Sequence, residues 1–151
     1  MSAWRREALK YLPQHAEQIE QAGTVSALLS ELWFEFKEAY QKDPKDEPLI
    51  AGVYSFAAWC WHGSDFTGNH LDLITAVFGY FYEPLPKDLV RRRDMPRYLC
   101  LEEFEVLQAG PFAYYLSPDE HLQMVREFRN TKAKTASQTP EHCGKLKNLS
   151  L

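Results

Sequence analysis

The chain is short of nearly every feature that announces a chemistry. Its three cysteines, Cys60, Cys100 and Cys143, are odd in number and widely spaced, and no pair has the short separation of a zinc-ligand couple. That excludes a disulfide framework and points to reduced, mostly structural thiols in a cytoplasmic protein. No Val/Ile/Thr-rich alternating run occurs, so strands are at most incidental. No apolar run reaches 18 residues, and the most apolar stretch, 71–82, is too short to cross a bilayer. The N-terminal Met1-Ser2-Ala3-Trp4-Arg5-Arg6-Glu7 is charged but leads into no apolar segment, so it does not read as a secretory signal. Glycine is scarce, and Gly63, Gly68 and Gly79 match no phosphate-cradling pattern. No serine sits in a Gly-x-Ser-x-Gly elbow. Positive charge is outnumbered: 17 Lys and Arg against 21 Asp and Glu leave a net charge of -4. Phosphate neutralisation dominates nucleic-acid affinity, so this balance argues against such a partner. No fixed-period repeat is visible either.

What the chain does have is aromatic residues. Of its 9 Phe, 8 Tyr and 4 Trp, 13 fall between Leu32 and Pro86, which marks where bulky packing is expected. The length of 151 residues suits one domain of ordinary size. Val25, Leu28, Leu29, Leu32, Trp33, Phe36 and Tyr40 recur at i, i+3, i+4, i+7 and predict an amphipathic helix. Asp46 caps a second apolar stripe, Leu49 to Cys60, with Gly63 placed as a C-terminal glycine. A third, His70 to Tyr82, is apolar nearly all round and ends at Pro84 and Pro86. Shorter helices are expected over 3–12, 13–22, 87–93 and 101–108, and Ser117-Pro118-Asp119-Glu120 carries the signature of a helix start. These features predict an all-α, single-domain, compact helical bundle of five to seven helices spanning 1–130. From Thr131 periodicity vanishes, so 131–151 reads as a flexible polar tail.

Four clusters carry the functional expectations. Glu31, Glu35 and Glu38 lie on one side of the long helix, and Asp43, Asp46 and Glu47 extend them into an acidic stretch suited to steering a basic partner. Arg91, Arg92, Arg93 and Arg97 form a basic counterpart, a secondary contact patch or a set of internal ion pairs. His62, Asp65, His70 and Asp72 could supply imidazole and carboxylate ligands, but the two histidines are not at i, i+4 on one helix. Capping roles are the plainer reading for them, and no metal or cofactor is expected. Phe78, Tyr80, Phe81 and Tyr82 could line a ligand pocket, although aromatics at helical spacing are more often core.

The segments Glu31-Leu32-Trp33-Phe34-Glu35-Phe36-Lys37-Glu38-Ala39-Tyr40, 50–60 and 76–86, with the later Met95-Pro96-Arg97-Tyr98-Leu99 and Phe104, resemble a family of small bacterial proteins that form a domain of unknown function. The likeness covers about 9–116 and rests on apolar, aromatic and turn-forming positions, so it implies fold and brings no catalytic residues. Small acidic proteins of this style are similar to immunity proteins, which neutralise a cognate toxin by covering its active site. The expectation is a non-enzymatic, cytoplasmic protein-binding module with a basic-surfaced partner. The alternative is a metal-dependent protein built on the His62, Asp65, His70 and Asp72 cluster.

Overall fold

A computed structural model describes residues 1–63, 70–135 and 143. Eight α-helices form among them and no strand does. Two of the eight, Ala16–Gln21 and Leu89–Asp94, are only six residues long, and with both counted the number exceeds the expected five to seven. Contacts divide the chain into two compact units, Met1–Phe81 and Tyr82–Leu151, where the sequence suggested a single core.

The first unit opens with α1 (Ala3–Tyr11). Pro13 then begins a 3-10 turn, Pro13–His15, that leads into the short α2 (Ala16–Gln21). The long α3 (Val25–Gln41) starts where Thr24 accepts a hydrogen bond from the Ala27 amide at 3.1 Å, the N-cap geometry that satisfies an otherwise orphaned donor. Its apolar stripe is buried as its spacing requires: Leu28, Leu29, Leu32, Phe36 and Ala39 are fully or almost fully enclosed. α4 (Glu47–Ala58) starts at Asp46, whose carboxylate accepts the Leu49 amide at 3.2 Å, with Pro48 in the first turn. α5 spans His70–Val77.

Both α4 and α5 end in wide π turns, Trp59–Gly63 and Phe78–Tyr82. These turns bring Trp61 and Phe78 edge to face, with ring centroids 5.1 Å apart. Gly63 is not a left-handed helix stop, because no described glycine has positive φ. A Cβ there would lie 2.4 Å from the Trp59 ring, so the position stays clear for that indole. Around Phe36 the rings of Trp33, Tyr40, Tyr54 and Phe81 gather with centroids 5.2–5.6 Å away. The sequence-suggested pocket aromatics divide accordingly: Phe81 and Tyr82 are core, and Tyr80 is exposed.

α1 lies directly on α4 because Gly52 has no side chain. A Cβ at Gly52 would come within 2.7 Å of both the Tyr11 carbonyl oxygen and a Leu12 methyl. Alanine normally improves a helix interior by up to about 1 kcal/mol. Here the obstructing oxygen is backbone, and overpacking typically costs about 1–3 kcal/mol. Gly52→Ala should therefore lower stability by about 1–2 kcal/mol in urea unfolding. A gain in stability would mean that α1 can retreat without penalty.

The second unit contains α6 (Leu89–Asp94), α7 (Leu101–Gln108) and α8 (Pro118–Lys134). Three 3-10 turns, Leu85–Lys87, Met95–Arg97 and Pro111–Ala113, punctuate them, each opened by proline at its first or second position. α6 starts at Asp88, which accepts the Arg91 amide at 3.1 Å. Phe104 of α7 stacks on Phe128 of α8 at 3.8 Å with the planes 5° apart, and Phe112 closes the cluster. Arg129 reaches back to Glu105 with two hydrogen bonds of 2.9 Å. The Ser117 start signal is a complete capping box: Ser117 Oγ accepts the Glu120 amide and Glu120 accepts the Ser117 amide.

The expected break at 130/131 does not coincide with a helix end, because α8 continues to Lys134. Beyond Thr135 the polar tail lies outside the described residues except for Cys143, which is buried.

Candidate functional site

The acidic stretch is less uniform than its sequence. Glu35 receives His15 Nε2 at 2.5 Å, and Glu31 accepts a hydrogen bond from Gln18 at 3.0 Å. Asp46 is occupied as the α4 cap and lies 3.7 Å from Lys42 Nζ. Glu31, Glu38, Asp43 and Glu47 remain solvent-exposed. A polar cleft of about 470 Å³ adjoins this face, lined by Gln14, His15, Gln18, Gln21 and Glu31 among others. His15 Nδ1 is buried there with no partner among the described residues. The His15–Glu35 pair resembles the imidazole–carboxylate half of a triad, but the lining offers no hydroxyl or thiol to act as nucleophile.

Sequence reading overlooked Phe34. This ring is 61% exposed and sits on α3 between Glu31 and Glu38, at i+3 and i-4 from them. Lys37 Nζ lies 4.9 Å from its centroid. The signal was available: Phe34 is out of register with the buried stripe, and an aromatic out of register must face water or a partner.

The arginine cluster does not form a single patch. Arg91 and Arg92 are buried, and their Nε atoms donate to the carbonyls of Leu85 at 3.3 Å and Pro86 at 2.8 Å. Arg93 is exposed near Glu127 at 3.7 Å, and Arg97 donates to Asp94 at 3.1 Å. A contact role for Arg91 and Arg92 is corrected by this placement: helical phase turns them onto the proline-rich turn before α6, whose carbonyls have no helical partner.

The histidine–aspartate cluster is not assembled among the described residues. His62 stacks on Trp61 at 4.2 Å, Asp72 is exposed in the first turn of α5, and these do not join His70 in a ligand group. Asp65 lies outside the described residues. Cys60 is a buried thiol whose pKa is pushed up by desolvation, which makes it inert rather than nucleophilic.

A different cluster does converge. Cys100, Glu103 and Cys143 are all buried, and their sulfur and oxygen atoms lie within 4.8 Å of one another. Glu103 Oε1 accepts the Cys100 amide at 3.0 Å, the Cys100 thiol at 3.2 Å and the Cys143 thiol at 3.3 Å. Hydrogen bonding to Cys100, burial and the Glu103 charge hold the Cys143 thiol well above its ordinary pKa. Lys132, on the last turn of α8, is the cation that feels all three groups: desolvation lowers its pKa and the charges of Cys143, Cys100 and Glu103 oppose that shift. No sequence spacing marks this set, because Cys143 sits in a stretch with no apolar periodicity.

Comparison with protein-family models, with curated proteins and with solved structures finds no match. The comparisons therefore bring no family to bear on the likeness to small bacterial proteins.

Proposed function

We propose that the protein is a non-enzymatic protein-binding module of the bacterial cytoplasm, acting as an immunity protein does by stoichiometric occlusion of a toxin's basic cleft. The observation that carries this reading is Phe34. An aromatic ring left mostly in water, flanked along a 17-residue helix by Glu31 and Glu38 with Lys37 over its face, has the make-up of an interface anchor. Exposed Glu31, Glu38, Asp43 and Glu47 add the field that draws a basic surface toward it. The apolar ring supplies affinity on desolvation, while the carboxylates supply rate and orientation.

The test is quantitative capture from the native host near physiological salt, using wild type, Phe34→Ala and Glu38→Lys as baits. One stoichiometric partner is expected, bound about 30-fold more weakly by Phe34→Ala, the effect of losing an anchor worth about 2 kcal/mol. Glu38→Lys should slow association, with a deficit that shrinks as salt rises. Neither exposed substitution should move folding stability by more than about 0.5 kcal/mol. A partner that binds all three baits equally would place the interface elsewhere.

A further inference from the structure

Glu103 is the one buried carboxylate among the described residues, and a helix cap does not require its surroundings. The cap accounts for the Cys100 amide, held at 3.0 Å, and for the Cys100 sulfur as acceptor of the Glu103 amide. The two thiols that also donate to this oxygen, one from a position 40 residues away, add nothing to that exchange. They do place three acidic groups in a low-dielectric site where each opposes the ionisation of the others. Hydrophobic side chains would fill such a site at lower cost.

A divalent cation accounts for the arrangement. With thiolate bonds of about 2.3 Å and a carboxylate bond of about 2.0–2.2 Å, a tetrahedral zinc holds sulfur and oxygen about 3.6 Å apart. The two S···O separations here are 3.2 and 3.3 Å, so a few tenths of an ångström of expansion would admit the ion. Two thiolates and one carboxylate carry three negative charges. Zinc offsets two of them and leaves the site with a single negative charge. The pair of sulfurs selects against magnesium and calcium, which take oxygen ligands.

We propose that Cys100, Glu103 and Cys143 bind one zinc ion, with its fourth position open to water or a small ligand. Binding releases the two thiol protons and fastens residue 143 to the start of α7. Formation of the site is then linked to folding of the second unit.

The test uses the full chain, kept reduced, stripped with a chelator and titrated with zinc or with cobalt as a spectroscopic stand-in. One metal per chain is expected, with about two protons released and a thiolate-to-cobalt charge-transfer band. Cys100→Ser and Cys143→Ser should each lose at least about 100-fold in zinc affinity and weaken that band, beyond the roughly 10–100-fold loss typical of an outer-shell partner. Glu103→Gln keeps both sulfurs and should retain the band while binding more weakly. Cys60→Ala, in the other unit, should bind as wild type. The wild-type cobalt spectrum is decisive even where a variant does not fold. Absence of the band, a band unchanged in both serine variants, or a Cys100–Cys143 disulfide whose reduced form takes no metal would each overturn the zinc site.

Discussion

Phe36→Ala should cost about 3–5 kcal/mol of folding stability, the range found for removing a fully buried aromatic ring. Phe36 is completely enclosed, and four aromatic rings approach it within 5.2–5.6 Å, three of them edge to face. Each such pair adds about 0.5–1.5 kcal/mol beyond simple burial, so the loss falls toward the upper end of that range. A domain typically has only about 5–15 kcal/mol in total, and the variant should therefore unfold at a much lower urea concentration. Phe36→Leu retains most of the apolar volume and should lose less. An alanine variant within about 1 kcal/mol of wild type would mean that the surrounding rings collapse into the space. The same substitution two positions earlier, Phe34→Ala, should leave stability nearly unchanged because that ring already faces water. The pair separates a packing aromatic from a recognition aromatic on a single helix.

That contrast also shows what local sequence carries. α3 was legible because seven apolar residues fall on one phase of a 3.6-residue period, and the helix buries that phase. The caps Thr24, Asp46 and Ser117 were legible because a short side-chain oxygen beside a helix start has one obvious use. α2 and α6 were blurred because six residues contain fewer than two turns, too few to display a period. The π turns at Trp59–Gly63 and Phe78–Tyr82 have no composition of their own. Most hidden was Cys143, since its burial depends on a contact with α7 across some 40 residues. Composition describes a residue's neighbours in the chain, and a polar neighbourhood says nothing about what one cysteine meets in space. The acidic face was legible as charge and its Asp46 cap as a local start signal, but the commitment of Glu35 to His15 arises from a tertiary contact.

The arginine cluster yields the second large effect. Arg92→Met should destabilise the protein by about 1–3 kcal/mol, although methionine preserves the length and apolar stem of the side chain. The guanidinium is buried and donates to the Pro86 carbonyl at 2.8 Å, so its removal strands an acceptor in a turn that closes on α6. The nearby Glu120 lies 3.5 Å away and is half exposed, an arrangement that contributes little in water. Glu120→Gln, which keeps a side-chain oxygen for the capping box, should therefore cost far less than Arg92→Met. The Ser117 amide holds the Glu120 carboxyl below its ordinary range, with a smaller contribution from Arg92. The stabilisation linked to that depressed pKa is complete at neutral pH, above the unfolded value, and fades as the pH falls through the folded one. Arg93→Ala and Arg97→Ala, both on exposed side chains, should stay within about 0.5 kcal/mol of wild type. If denaturation instead ranked all four substitutions alike, Arg92 would be acting as surface charge. The expected ranking makes it a brace for the backbone between the proline-rich turn and α6.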